Sequence, residues 1–192
     1  FARKNGILVC FDEIQAGFYR MGTLYGYMSY NQDMKPDLVC LAKGISSSLP
    51  MSALLGTKEL IDIDKKAVVG GTHAGNALCC AASLANINFL TNQKFQEDLL
   101  EKVPLFEKVF NDLLGSPLIA DVNCRGMVTG LIFHDTRTAT SVAKRCIQNG
   151  VLPVYTGRNS IKFGPPLTIS REAIAEAGSI IKMCLEQEKN GL

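Results

Sequence analysis

Two apolar runs in the sequence each end in side chains that can do acid–base chemistry. Residues 7–11 are followed by Asp12 and Glu13, and residues 38–42 are followed by Lys43. Continuous apolar runs are typical of parallel strands covered on both faces, and ligands bind beyond the carboxyl ends of such strands. The sequence therefore predicts a site where a carboxylate and an amine meet. An ordinary buried ion pair, or two residues that begin helices, would give the same pattern.

The elements that position these side chains form an α/β arrangement. Residues 52–56 indicate a weaker third strand, and a Gly-rich loop at residues 70–76 leads into a helical pattern from Ala77. A second helical stretch has one apolar face, and Pro104 within it should kink or restart the helix.

The second part of the chain alternates short strand and helix patterns, which predicts a small α+β unit. Strands are expected at residues 118–123, 127–133, 151–155 and 160–163. A helix that Gly150 can end and a last helix capped by Ser170 complete this unit. We expect one domain at residues 1–93 and a second at residues 94–192.

Composition excludes several functional classes. The chain has 192 residues, of which 47% are hydrophobic and 20% charged, so it is too apolar for a disordered protein. With 20 basic and 18 acidic residues there is no excess charge for a nucleic acid. No apolar run reaches the ~18 residues of a membrane span.

Cysteine and histidine usage predicts the compartment and excludes a metal centre. Seven cysteines without a C-x-x-C pair argue against a disulfide framework or a structural zinc site. His73 and His134 are far apart and have no cluster of ligands around them, so we expect no metal. A reducing compartment follows, either the cytoplasm or an organellar matrix.

Three motifs carry a resemblance to a known family. Residues 11–22, F-D-E-I-Q-A-G-F-Y-R-M-G, closely resemble the D-E-x-Q-x-G-x-x-R-x-G signature of class III aminotransferases. Residues 42–44, A-K-G, are similar to the cofactor-lysine segment of that family, and residues 71–76, G-T-H-A-G-N, to its G-T-x-x-G-N loop. The resemblance is strong over residues 1–90 and weaker beyond. It implies a fold type I enzyme, with part of a mostly parallel large-domain sheet followed by a small α+β domain.

The resemblance also implies pyridoxal 5'-phosphate as cofactor and a role for each motif residue. Lys43 would form a Schiff base with the cofactor and later move a proton as general base and acid. Asp12 would face the pyridine nitrogen, and Gln15 would donate to the ring oxygen. Thr72 would reach the phosphate in a neighbouring subunit, which implies a homodimer with a shared active site. The reaction would pass an amino group from an amino acid or ω-amine to a keto or aldehyde acceptor.

Two positions depart from the family pattern. Residues 161–167 resemble its I-R-F-x-P-P-L segment, in which an arginine commonly binds a substrate carboxylate, but this chain has Lys162. Lysine lacks the two-pronged guanidinium, so recognition of a carboxylate there is expected to be weaker. Residues 46–48 are serines where the family usually has glycines.

The sequence leaves the nature of the chain and its reaction open. It starts at Phe1, and Gly6 looks like the cap of a helix end, which predicts a fragment or processed product of a longer protein. The N-terminal half that fold type I enzymes need is absent, so we expect this segment alone to be inactive. The alternatives are other chemistry on the same cofactor (an aminomutase or a decarboxylase), or a noncatalytic fragment that acts through binding. A nicotinamide-binding protein is disfavoured because G-x-G-x-x-G does not follow the first strand.

Overall fold

The computed structural model describes residues 1–63 and 70–191 of the chain. The chain divides into two units, Phe1–Gln96 and Glu97–Leu192. The sequence places the boundary between residues 93 and 94, and helix α3 (Gln93–Asn111) includes both positions.

A three-stranded sheet with strand order β1-β2-β3 lies in the first unit, formed by β1 (Cys10–Asp12), β2 (Leu38–Leu41) and β3 (Ala53–Gly56). The first two strands are parallel, as the apolar runs predict. The third is antiparallel to β2, in contrast to the parallel arrangement that its apolar run suggests. The connection at residues 42–52 explains this, because it is shorter than the dozen or more residues of a parallel crossover.

Helices and turns complete the first unit. After β3 come the one-turn helix α1 (Lys58–Ile61) and the longer α2 (Ala77–Leu90). The Asn76 side chain caps α2 by accepting hydrogen bonds from the backbone N–H groups of residues 78 and 79. The chain begins with a 3₁₀ turn that ends at Gly6, where φ is +64°, as the sequence predicts for a helix cap.

Helix α3 runs through Pro104 without a break, so the expectation that this residue restarts the helix is wrong. Proline removes one backbone donor and leaves the carbonyl of Leu100 without its usual partner. Leu100 is exposed, where water can donate to that carbonyl. The burial of Leu99, Phe106 and Phe110 on the opposite face holds the helix in place across the proline.

An antiparallel sheet with strand order β4-β5-β7-β6 is the centre of the second unit. Its strands lie close to the positions predicted from the sequence. They are β4 (Ile119–Arg125), β5 (Val128–Phe133), β6 (Val154–Tyr155) and β7 (Ser160–Phe163). Burial alternates along β5 and β7, which is typical of a sheet with one face on the core.

Two helices with side-chain caps also belong to the second unit. Helix α4 (Thr136–Gln148) begins at Asp135, whose carboxylate accepts from the backbone of residue 138, and helix α5 (Arg171–Lys189) begins at Ser170, as predicted. Gly150 has a φ of +86° just after α4, in agreement with its predicted role.

A lysine lies in the interior of the second unit. Lys102 on α3 is 2% exposed, and its Nζ donates to the carbonyl of Leu167 at 2.7 Å. Asp98, one turn earlier on α3, forms an ion pair with the same ammonium. This pair gives the charge a partner, which a buried ammonium requires.

None of the helices within residues 1–63 and 70–191 combines the length and the apolar composition that crossing a membrane requires.

Candidate functional site

Asp12 and Lys43 lie at the same edge of the first sheet. Asp12 is the last residue of β1 and is in register with Cys40 on β2, three residues before Lys43. Because β1 and β2 are parallel, their carboxyl ends meet at one edge, and both side chains are exposed there. Among the described residues neither side chain is in an ion pair, so the alternative of an ordinary buried ion pair is wrong.

Local backbone geometry fixes both residues. The Asp12 carboxylate accepts from the backbone N–H of Ile14 at 3.0 Å, which shapes the turn after β1. Lys43 begins a 3₁₀ turn, Lys43–Ile45, and has a φ of +41°. This left-handed conformation costs a residue other than glycine about 1–2 kcal/mol, and such strain collects at functional sites.

The contacts that hold the Lys43 turn come from residues that the sequence did not single out. The side-chain amide of Asn86 on α2 donates to the carbonyl of Gly44 at 2.6 Å. Gly44 also packs against Phe18, and a Cβ added at Gly44 would lie 2.8 Å from the Phe18 Cβ. A polar side chain in the apolar stretch of α2 was the only sequence signal for Asn86.

The three serines after the Lys43 turn have different environments. Ser47 has a φ of +64°. Glycine, the usual residue of the family here, adopts this conformation without steric cost, whereas serine is strained in it. The Ser46 side chain is buried and donates to the carbonyl of Leu49. Ser48 is exposed.

Glu13 organises the loop between β1 and β2. Its buried carboxylate accepts from the backbone N–H groups of Gly26 at 2.6 Å and Tyr27 at 2.9 Å. The ring of Tyr27 stacks between Phe11 and Tyr25, with ring centroids 5.2 and 5.7 Å away. Burial, followed by the charges of Tyr25 and Glu13, raises the pKa of Tyr27. These contacts give Glu13 and the aromatic residues a packing role in the loop.

Two thiols lie on the face of the sheet that carries Asp12. The Sγ atoms of Cys10 and Cys40 are 3.7 Å apart. The hydrogen bond with Cys10 raises the pKa of Cys40, and burial and the charges of Cys10 and Asp12 add to the effect. The raised pKa of Cys40 favours the protonated form of the thiol beside the carboxylate.

Gln15 and Thr72 are exposed and lie in turns of the same unit. Gln15 is in the turn that follows β1, close in sequence to Asp12. Thr72 is in the turn that precedes α2, and among the described residues no hydrogen bond links it to Asp12 or Lys43. The structure thus brings Asp12 and Lys43 to one edge and keeps Thr72 in a separate loop.

Lys162 belongs to the second unit, where it lies on β7 and is half-buried. It is in register with Gly130 on β5 and with Val154 on β6. The segment that follows, residues 164–167, is held at its end by the Lys102 ammonium.

All seven cysteines are free thiols. Burial raises the pKa of Cys146 to about 12 and that of Cys124 to about 11, so both are unreactive at neutral pH. Within the part of the chain that the structure describes, no group of three or more His, Cys, Asp or Glu side chains could hold a metal ion.

The sequence model described as Aminotransferase class-III matches residues 1–185. Among curated proteins, a 4-aminobutyrate aminotransferase of Mycobacterium leprae is 32% identical over 96% of this chain and 43% of its own length. An acetylornithine aminotransferase of Clostridium acetobutylicum is 30% identical over 93% of this chain and 46% of its own length. The chain thus spans less than half the length of these two curated relatives.

Solved structures show the same relationship. An ornithine aminotransferase of Plasmodium yoelii superposes with a TM-score of 0.85 and 27% identity, over 96% of this chain and 50% of that one. An acetylornithine aminotransferase of Elizabethkingia anophelis has a TM-score of 0.86 and 28% identity, over 97% of this chain and 47% of that one. These comparisons confirm the expected fold: the sheets and helices described above are those of class III transaminases.

Proposed function

Since the chain belongs to the class III aminotransferase family, we propose that the protein transfers an amino group from an amino donor to a keto or aldehyde acceptor with pyridoxal 5'-phosphate. One observation carries this proposal. An exposed amine, Lys43, and an exposed carboxylate, Asp12, stand at the carboxyl ends of adjacent parallel strands, without an ion pair to another described residue.

These two side chains fit the cofactor by their chemistry. A primary amine is the group that binds an aldehyde covalently, and a carboxylate is the group that keeps a ring nitrogen protonated. When bound, pyridoxal 5'-phosphate supplies an electron sink for the carbanion of the substrate. Lys43 would hold the cofactor covalently through its amine and would move the proton at the substrate α-carbon. Asp12 would keep the ring nitrogen of the cofactor protonated.

The turn residues supply the remaining contacts with the cofactor. Gln15, three residues after Asp12, would donate a hydrogen bond to the cofactor. Thr72 offers a hydroxyl group in a Gly-rich loop before α2, a setting suited to phosphate. Its separate loop is compatible with a phosphate held in the partner subunit, and we assign the active enzyme to a homodimer on this basis.

Lys162 is assigned to substrate recognition. Its ammonium is a point charge, so a donor or acceptor carboxylate gains a single ionic contact there rather than a two-pronged one. Substrates whose carboxylate does not bind at this position, and ω-amines, lose less binding energy when lysine replaces arginine here. Donors of the kind handled by 4-aminobutyrate and acetylornithine aminotransferases are therefore the first to examine.

The domain and compartment assignments complete the proposal. Residues 1–93 belong to the cofactor-binding domain and residues 94–192 to the small C-terminal domain. The enzyme works in a reducing compartment, the cytoplasm or an organellar matrix, because seven free thiols persist there. This segment alone is inactive, since it contains only these parts of the active site.

The test uses the full-length polypeptide loaded with pyridoxal 5'-phosphate. Borohydride reduction fixes the cofactor to the lysine that holds it, and peptide mapping is expected to identify Lys43. The variant Lys43→Arg should lose amino transfer by at least about 10²-fold, because the arginine cannot transfer the proton. Lys58→Arg, at an exposed lysine of the same unit, is the matched control and should keep full activity.

Three results would overturn the proposal in different ways. Label on another lysine removes Lys43 from its role. Label on Lys43 with a rearranged or decarboxylated product shows other chemistry on the same cofactor. The absence of any bound cofactor identifies a noncatalytic protein.

A further inference from the structure

The backbone of Lys43 has a conformation that its own sequence does not favour. Its φ of +41° belongs to the left-handed region, while the preceding Ala42 is extended, with φ −161° and ψ −153°. A lysine gains no local hydrogen bond that would favour this region, in contrast to asparagine or aspartate. The conformation therefore persists only because neighbouring residues impose it.

Asn86 supplies the side-chain hydrogen bond to this turn. Its Nδ2 donates to the Gly44 carbonyl at 2.6 Å, across 42 positions of sequence. That carbonyl belongs to the residue directly after Lys43, so its direction sets the orientation of the Lys43 turn. Asn86 is half-buried, which protects the bond from competition with water.

Phe18 also packs against this turn, at Gly44. It is 5% exposed, has a φ of +55°, and is fixed by a hydrogen bond from its own N–H to the carbonyl of Leu24 at 2.6 Å. Gly44 approaches it so closely that a Cβ at that position would stand 2.8 Å from the Phe18 Cβ. Gly44 is therefore contacted both by a side-chain hydrogen-bond donor and by a buried phenylalanine.

Helix α2 also contacts the connection between β2 and β3 at Met51. Ser83, three residues before Asn86 and thus on the same helix face, has its Oγ 2.9 Å from the sulfur of Met51 and 2.8 Å from the carbonyl of Cys79, and its single hydrogen can be donated to one of them at a time. This second contact joins α2 to the far end of the loop without touching the Lys43 turn. It provides an internal control for loss of loop packing alone.

We propose that Asn86 is a positioning residue, which directs the Lys43 amine by holding the Gly44 carbonyl. The proposal rests on the proposed function, in which Lys43 holds the cofactor and moves the proton. Without the Asn86 donor the turn can relax to the ordinary right-handed conformation, and the Lys43 side chain then leaves from a different direction. Displacement of a reacting group by about 1 Å can lower a rate by about 10²-fold.

The experiment compares three variants of the full-length polypeptide. Asn86→Leu removes the donor at nearly constant volume, Ser83→Ala removes the second contact, and Asn88→Leu changes an exposed residue of the same helix. We expect Asn86→Leu to lower kcat by at least about tenfold with KM within twofold, while the other two variants stay within twofold of the parent. Asn86→Asp, which has the same shape and cannot donate when ionised, should behave like Asn86→Leu and replaces it if that variant does not fold.

A second readout does not depend on the cofactor. In the cofactor-free protein, mass spectrometry follows the acetylation rate of Lys43 relative to Lys58, and hydrogen exchange of the backbone at residues 44–47. Asn86→Leu should change the Lys43 rate by at least twofold and speed exchange in the turn, whereas Ser83→Ala should leave the Lys43 rate unchanged.

The outcomes separate this inference from the proposed function. Parent-like kcat, labelling and exchange in Asn86→Leu would overturn the role of Asn86, and so would equal losses in Asn86→Leu and Ser83→Ala. If borohydride fixes no cofactor at Lys43 in the parent, the proposed function fails, while the labelling and exchange data still decide whether Asn86 directs this side chain.

Discussion

The two units of the chain distribute strain and packing differently. Among the described residues, every residue other than glycine with a positive φ lies in the first unit. These residues are Phe18, Tyr19, Lys43 and Ser47. The second unit has a positive φ only at glycines within its described part, and its helices α4 and α5 begin at side-chain caps.

The buried apolar residues show the same contrast. Those of the first unit are Phe18, Val39, Leu41, Ile45, Leu90 and Phe95. In the second unit, each strand or helix longer than two residues contributes to one core, with Leu131, Phe133 and Ile161 fully buried in the sheet. Within the described residues, buried polar contacts such as those of Glu13 thus add to a small apolar core in the first unit, while buried apolar side chains predominate in the second. The residues with strained backbone therefore lie in the unit that carries the proposed active site.

The largest expected effect comes from the core of the second unit. Leu131→Ala, at a fully buried position of β5, should destabilise that unit by about 2–5 kcal/mol, because a cavity adds to the lost apolar burial. Hydrogen exchange followed by mass spectrometry reports each unit separately. Leu55→Ala, at an exposed leucine on β3 of the first unit, is the control and should cost less than about 1 kcal/mol. Equal costs at the two positions would contradict the contrast between the units.

A smaller effect is expected from the polar contact that organises the first unit. Glu13→Gln should destabilise the loop at residues 13–30 by about 1–3 kcal/mol, because the new amide group cannot accept from both Gly26 and Tyr27. Faster exchange of these two backbone N–H groups would show the loss. Asp33→Asn, an exposed acid-to-amide change in the same unit, should leave exchange unaltered. A Glu13→Gln protein with parent-like exchange would show that apolar packing alone holds the loop.

The smallest effect concerns an ion pair in the second unit. A hydrogen bond from Ser141, together with Arg145 at 3.0 Å, lowers the pKa of Glu188 on α5. A lowered folded-state pKa means that this carboxylate adds stability above its unfolded-state pKa and loses that contribution as pH falls through the folded-state value. Glu188→Gln should therefore cost about 1 kcal/mol or less near pH 7 and nothing near pH 3. Urea unfolding at both pH values checks this, with Glu186→Gln, at an exposed residue of α5, as control. A cost that is independent of pH would show that shape rather than charge matters there.

Much of the fold could be predicted because its signals are local. The strands at β4, β5 and β7 follow from apolar patterning, and the start of α5 follows from the hydroxyl group of Ser170. The direction of β3 was missed, and of the kink or restart expected at Pro104 the restart does not occur. Both depend on tertiary contacts, in one case the short connection from β2 and in the other the apolar face that spans the proline.

The candidate site was predictable in part for the same reason. Asp12 and Lys43 were found because charged residues interrupt apolar runs, and the structure places them at one sheet edge. Asn86 was missed because its partner lies 42 positions away, and no local pattern links a helical asparagine to the turn after β2. The structure shows only the positions of these residues, and the roles of Asp12, Gln15, Lys43, Thr72 and Lys162 all stay predictions.

The buried Lys102 ammonium has a consequence for the chain that leaves β7. Pro165 and Pro166 have no backbone N–H group, so they cannot donate the hydrogen bonds that would continue β7. Their stretch of chain can take part in backbone hydrogen bonds there only through carbonyl oxygens. The buried Lys102 ammonium, paired with Asp98, donates to the Leu167 oxygen at 2.7 Å and fixes the end of this stretch. The segment between β7 and the last helix is thereby held by a hydrogen bond from a charged donor, rather than by strand pairing.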